Sequence, residues 1–156
     1  MNLLAIASQG YRCLVTLRNG FYNRGLCHPV RLPVPVVSVG NLTVGGTGKT
    51  SCVELLARKL TGSGHAAAIL SRGYGGKLKN YWLKSAGGSL FLDGRPAESL
   101  EGIADEPQLL ASALEGVPVG VGSRRALTGR VACEQWAAQV LLLDDGFQHR
   151  QVYRDC

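Results

Sequence analysis

The sequence predicts an α/β domain built on a mostly parallel sheet, and three observations lead there. A short β-favouring run (Val34, Val36, Val37, Val39) ends at Gly40 and passes through a glycine-rich turn into a segment with apolar residues at helical spacing. Strand-like and helix-like patterns then alternate to the end of the chain, which is the order that lays strands side by side in parallel. A later apolar run, Val140 to Leu143, ends in two aspartates, Asp144 and Asp145. Loops at the carboxyl edge of such a sheet form its binding site.

The first stretch, PVPVVSVGNLTVGGTGKT, spans residues 33–50. After Thr50, Cys52, Val53, Leu55, Leu56 and Leu60 recur as on one helix face, so the order is strand, loop, helix. In a loop of this kind glycines let successive backbone N–H groups turn towards phosphate oxygens, a lysine brings a positive charge to the β- and γ-phosphates, and a Ser or Thr hydroxyl reaches Mg²⁺. Thr43, Val44, Gly45, Gly46, Thr47, Gly48, Lys49 and Thr50 are the candidate nucleotide-binding residues. The usual G-x-x-x-x-G-K-[ST] spacing places Thr43 where the first glycine belongs, so the match is imperfect. A plain glycine-rich linker is the alternative, but a linker needs neither a buried strand before it nor an amphipathic helix after it.

The chain has the length of one ordinary domain, and 46% hydrophobic against 18% charged residues makes it globular, not disordered. A net charge of +6 suits an anionic partner: nucleotide, membrane surface or nucleic acid. The basic residues are dispersed with no aromatic-interleaved patch, which argues against nucleic acid. Five cysteines without a C-x-x-C pair fit reduced thiols, with Cys52 and Cys133 read as small core residues.

Along the first twenty residues, Leu3, Ile6, Ala7, Tyr11, Leu14 and Leu17 share a broad helical face. The apolar run is too interrupted to span a bilayer. Two readings fit: a helix packed on its own domain, or an interfacial helix whose Arg12, Arg18 and Arg24 meet anionic head groups. Ala66 to Ser71 reads as a second buried strand running into SRGYGG, where Arg72 and Tyr74 are either ligand contacts or part of a plain loop. Residues 81–96 read as a β-hairpin broken at Gly87-Gly88 and Asp93-Gly94. In ADEPQLLASALEG a helix starts near Asp105, which is either an acid favoured by the helix dipole or a catalytic carboxylate. Val117 to Val121 reads as a strand, and the following helix carries Arg124, Arg125 and Arg130, which either touch phosphates or, as helix arginines usually do, form a solvated face. The run ending at Asp144-Asp145 has the form of a Walker B strand, delivering carboxylates for Mg²⁺ beside Gln148 and His149.

Taken in order, RNxFYxRG, SVGNLTVGGTGKT, ILSRGYGG, DEPQLL, VPVGVGSRR and LLLDDGFQHR resemble the tetraacyldisaccharide 4'-kinases, the lipid A 4'-kinases of Gram-negative bacteria. That family's loop likewise has Thr or Ser in place of the usual first glycine. The resemblance implies a P-loop NTPase-like three-layer domain over residues 29–156 with a β-hairpin insertion, preceded by an amphipathic, membrane-associating helical segment at 1–28. It implies ATP and Mg²⁺, and transfer of the γ-phosphate of ATP to the 4'-hydroxyl of tetraacyldisaccharide 1-phosphate to form lipid IVA. The expected place is the cytoplasmic face of the inner membrane, by peripheral contact, with no obligate protein partner.

Residue by residue, the resemblance assigns Lys49 to the phosphates, Thr50, Asp144 and Asp145 to the metal, and Asp105 to the base for the sugar hydroxyl. Gln148 and His149 belong to the active site, and Arg72 and Tyr74 lie near the substrate. Ala104 stands where the family commonly has Gly. Family members are also longer, and their remaining strands, a smaller second domain and a histidine that assists the catalytic Asp correspond to positions after Cys156. The expectation is that residues 1–156 alone leave sheet edges unpaired and are poorly stable and weakly active. The alternatives are an ATP- or membrane-binding fragment without catalysis, or another P-loop nucleotide-hydrolysing protein. A GTPase would carry Asn-Lys-x-Asp, which these residues lack.

Overall fold

The computed structural model describes residue 9 and residues 15–40, 48–147 and 150–156. The chain divides into two compact units, residues 1–30 and 31–156. In the first, residues 15–23 are helical, and the turn that follows is closed by the Arg24 N–H donating to Gly20 O (3.0 Å) and Leu26 N–H to Phe21 O (3.0 Å). Leu17, Phe21 and Leu26 are exposed. Among the described residues no helix is long and apolar enough to cross a membrane.

The second unit contains β1 (Val36–Val39), α1 (Lys49–Gly62), β2 (Ala67–Ser71), β3 (Tyr81–Ala86), β4 (Ser89–Leu92), β5 (Arg95–Pro96), α2 (Asp105–Ala113), β6 (Val119–Val121), α3 (Arg125–Trp136) and β7 (Val140–Asp144). The strands form one seven-stranded sheet in the order β1-β7-β2-β6-β3-β4-β5. The first four in that order are mutually parallel, and β3, β4 and β5 continue antiparallel from β6. β2 is buried at every position, as its unbroken apolar run requires of a central strand covered on both faces.

Alternation along the strands sorts the core into two layers. Ile69, Leu142, Val119, Val121 and Leu83 pack with Val53 and Ala57 of α1 and Leu110 and Ala111 of α2. Val36, Ala68, Leu70, Leu141 and Leu143 pack on the other face with Ala132 of α3. The result is the expected three layers, helix, sheet, helix.

Three expectations need correction. The first strand begins at Val36, two residues after Val34, because Pro35 cannot donate to a ladder. Cys52 is exposed: α1 buries Val53 and Ala57, so Cys52 and Leu55 turn outward. The hairpin at 81–96 forms as expected, and β3 also pairs with β6 through Tyr81–Val121 and Leu83–Val119 and so extends the main sheet. The outer edge of β1 is also partly lined. Ser38 N–H donates to Cys156 O (2.8 Å), and Asp155 N–H donates to Val36 O (2.9 Å).

Candidate functional site

The carboxyl edge of the parallel strands gathers the chemistry. Gly48 holds φ 74°, a left-handed conformation open to glycine, and so turns the chain into α1 with Lys49 as its first residue. Lys49 Nζ lies 3.0 Å from Asp145 Oδ1, in the turn after β7. Asp145 is itself left-handed (φ 50°), and its side chain is 67% exposed. Thr50 follows in the first turn of α1, half-buried.

Asp144 is different in kind. It is 3% exposed, the last residue of β7, on the face that carries Leu142. Burial pushes its carboxyl above the ordinary value, the charge of Glu106 adds to this, and Arg125, Asp145 and Lys49 act on it as well, the two cations in the opposite direction. Glu106 therefore belongs to this group of charges.

Arg125 is the residue that sequence reasoning misplaced. It opens α3, is 2% exposed, and does not form the expected solvated face. Its Nη1 donates to the Asp145 carbonyl oxygen at 3.3 Å, while its buried Nε has no hydrogen-bond partner. Burial lowers its pKa, and Asp144 and Asp145 oppose that shift. A buried guanidinium remains charged, so it serves as the counter-charge under the two aspartates. The signal available in sequence was its place directly after the carboxyl end of a strand, but an arginine's burial depends on partners distant in the chain.

Asp105 and Glu106 are the first two residues of α2 and both are exposed, with Ala104 as N-cap. Their position is set from the SRGYGG loop. A Cβ on Gly76 would come within 2.9 Å of the Ala104 backbone nitrogen, and the Ala104 N–H donates to Tyr81 Oη (3.1 Å). Arg72 sits at the end of β2, near enough to Arg125 to be felt electrostatically, and Tyr74 is 85% exposed on the same loop. The structure thus joins Lys49, Asp144, Asp145, Glu106 and Arg125 in one cluster, with Asp105 beside Glu106. It does not give Tyr74 a contact. Thr43, Val44, Gly45, Gly46, Thr47, Gln148 and His149 lie outside the described residues. Among the described residues no three His, Cys, Asp or Glu side chains form a metal-holding group.

A strand, a glycine-turned helix start with lysine, and a second strand carrying two aspartates meet here, and the family model of tetraacyldisaccharide-1-P 4'-kinase (LpxK) matches residues 1–156. The chain belongs to this family. Among its LpxK relatives, the tetraacyldisaccharide 4'-kinase of Syntrophus aciditrophicus (strain SB) is 53% identical over 154 residues, covering 98% of this chain and 40% of that protein. The one from Anaeromyxobacter sp. (strain K) is 45% identical over 152 residues, covering 97% and 39%. A crystal structure of LpxK from Aquifex aeolicus in complex with ATP superposes with a TM-score of 0.82 at 41% identity, covering 97% of this chain and 46% of that one. The chain spans less than half the length of the relatives it matches.

Proposed function

We propose that this chain carries the nucleotide-binding and phosphoryl-transfer half of an ATP-dependent lipid kinase, which moves the γ-phosphate of ATP to the 4'-hydroxyl of tetraacyldisaccharide 1-phosphate to give lipid IVA. The observation that carries the reading is Lys49 at the α1 start, 3.0 Å from Asp145 and beside buried Asp144. Phosphoryl transfer asks the protein mainly for positioning and for charge to offset the phosphate oxygens. Lys49 and the N-terminal end of α1 supply both. Asp105 is the base: it takes the proton as the 4'-oxygen bonds to the γ-phosphorus and the bond to the β-phosphate oxygen breaks, releasing ADP. Arg72 and Tyr74, on the loop packed against the start of α2, are proposed to meet the sugar, and Gln148 and His149 are proposed as further active-site residues.

The donor set suits Mg²⁺: Thr50, Asp144 and Asp145 offer hard oxygens, and Mg²⁺ is commonly held by one or two carboxylates with phosphates and waters. When bound, the ion would offset charge on the β- and γ-phosphates. Arg125 holds the Asp145 carbonyl and so fixes where the two carboxylates start. The helical segment at residues 1–28 is proposed to rest on the cytoplasmic face of the inner membrane by its apolar face, with Arg18 and Arg24 towards anionic head groups.

The second reading is an ATP- or membrane-binding piece without turnover. Incubation of labelled ATP with the acylated disaccharide 1-phosphate separates the two. Labelled lipid that vanishes with Lys49→Ala is the expected result for the full-length protein, and absence of labelled lipid there ends the kinase reading.

A further inference from the structure

The hairpin that extends the sheet creates a feature with no part in the chemistry above. Trp82, Lys84 and Ala86 alternate onto the α3 side of β3, and Phe91, opposite Lys84, continues that face on β4. α3 packs chiefly over β2 and β6 and meets this outer part of the sheet through Trp136 at its end. A groove is left between the helix and the hairpin, and it shows as two cavities with Trp82 as a common wall. The upper, about 490 Å³, is lined by Asn80, Ser123 and Arg124 at its polar end and by Trp82, Leu127 and Val131 below. The lower, about 220 Å³, is bounded by Trp82, Lys84, Phe91 and Trp136 and is mostly apolar.

The floor is built for close approach. A Cβ on Gly120 would lie 2.6 Å from both Trp82 and Thr128, so glycine there lets the two sit over the strand. The indoles of Trp82 and Trp136 are 6.1 Å apart, and Lys84 Nζ stands 5.0 Å above the Trp136 ring. Trp136 Nε1 is buried with no hydrogen-bond partner.

We propose that this groove binds one acyl chain of a phosphorylated glycolipid, with an anionic head group held at Asn80, Ser123 and Arg124. The inference rests on the kinase reading and names where its lipid lies. Two features select this occupant. The polar and cationic end is at the catalytic edge, since β6 ends there at Val121 with Ser123 just after it, and the apolar end points away from it. Length also fits: six residues of β3 extend roughly 20 Å, and an acyl chain crosses one leaflet, about half of the roughly 30 Å hydrocarbon core.

The test uses the protein's own reporters, because its two tryptophans, Trp82 and Trp136, both line the groove. The probe is 1-myristoyl lysophosphatidate below its micelle concentration, with and without bromine on the chain. The brominated lipid is expected to quench tryptophan emission saturably, and the unbrominated lipid to compete. Leu127→Asp, at a side chain 52% exposed and so tolerant of charge, is expected to weaken binding by about tenfold or more. Arg124→Ala is expected to weaken it by about tenfold, while leaving a brominated monoacylglycerol unaffected.

No quenching, or quenching unchanged in Leu127→Asp, overturns the proposal. Quenching by brominated vesicles but not by monomeric lipid also overturns it, making this face a bilayer contact. Binding of a fluorescent ATP analogue is followed in the same samples. Nucleotide binding without lipid quenching removes the groove and leaves the kinase reading, whereas groove binding without phosphate transfer in the full-length protein removes the kinase reading alone.

Discussion

Lys49 and Asp145 hold each other at 3.0 Å, so the lysine's charge is already balanced before a nucleotide arrives. Phosphate must replace the carboxylate. Lys49→Ala should therefore abolish nucleotide binding, whereas Asp145→Asn should tighten binding of metal-free ATP by a few-fold, since exposed ion pairs contribute on the order of 0–1 kcal/mol; equilibrium titration of both variants checks this. Asp144 carries the opposite liability. Its carboxyl is raised above the ordinary 3.8, so the native state favours the protonated form and loses stability as pH rises through that interval. Asp144→Asn should melt a few degrees higher at neutral pH, the gain should fade below the ordinary carboxylate range, and phosphoryl transfer should be lost. Arg125→Ala should cost about 3 kcal/mol or more in chemical denaturation, because it empties a fully buried site and strands Asp144 without its counter-charge.

Among the elements, β1 and β7 were legible in the sequence because their signals are local. Val36, Val37 and Val39 before a glycine turn, and Val140 to Leu143 before two aspartates, need no distant partner to be read. Arg125 and Cys52 were not legible. Each depends on which face its helix turns to the sheet, and a single arginine or cysteine among small residues barely tips that balance. The hairpin was seen as strands, but its attachment to β6 was not, because antiparallel register across a long connection leaves no local trace. The contact between Gly76 and Ala104 was equally hidden, and it positions α2. Gly76→Val should push the start of α2 outward and lower kcat by about tenfold or more with little change in nucleotide affinity. Steady-state kinetics and a nucleotide titration test both halves of that expectation.

Across the whole molecule, the helix–sheet–helix layering and the clustering of charges at one sheet edge agree with what the alternation of patterns implied. The two ends of the sheet are less alike than that alternation suggested. At one side β5 has only two residues, and one of them, Pro96, has no N–H to offer a further strand, while Arg95 adds a charge. At the other side the β1 backbone accepts partners, as residues 155 and 156 show. Pro96→Val should restore a hydrogen-bond donor at the blunt side and promote self-association, which light scattering during mild heating would detect. Growth of this sheet is therefore one-directional: it is stopped beyond the hairpin, on the side of the acyl groove, and can add strands only next to the phosphate loop.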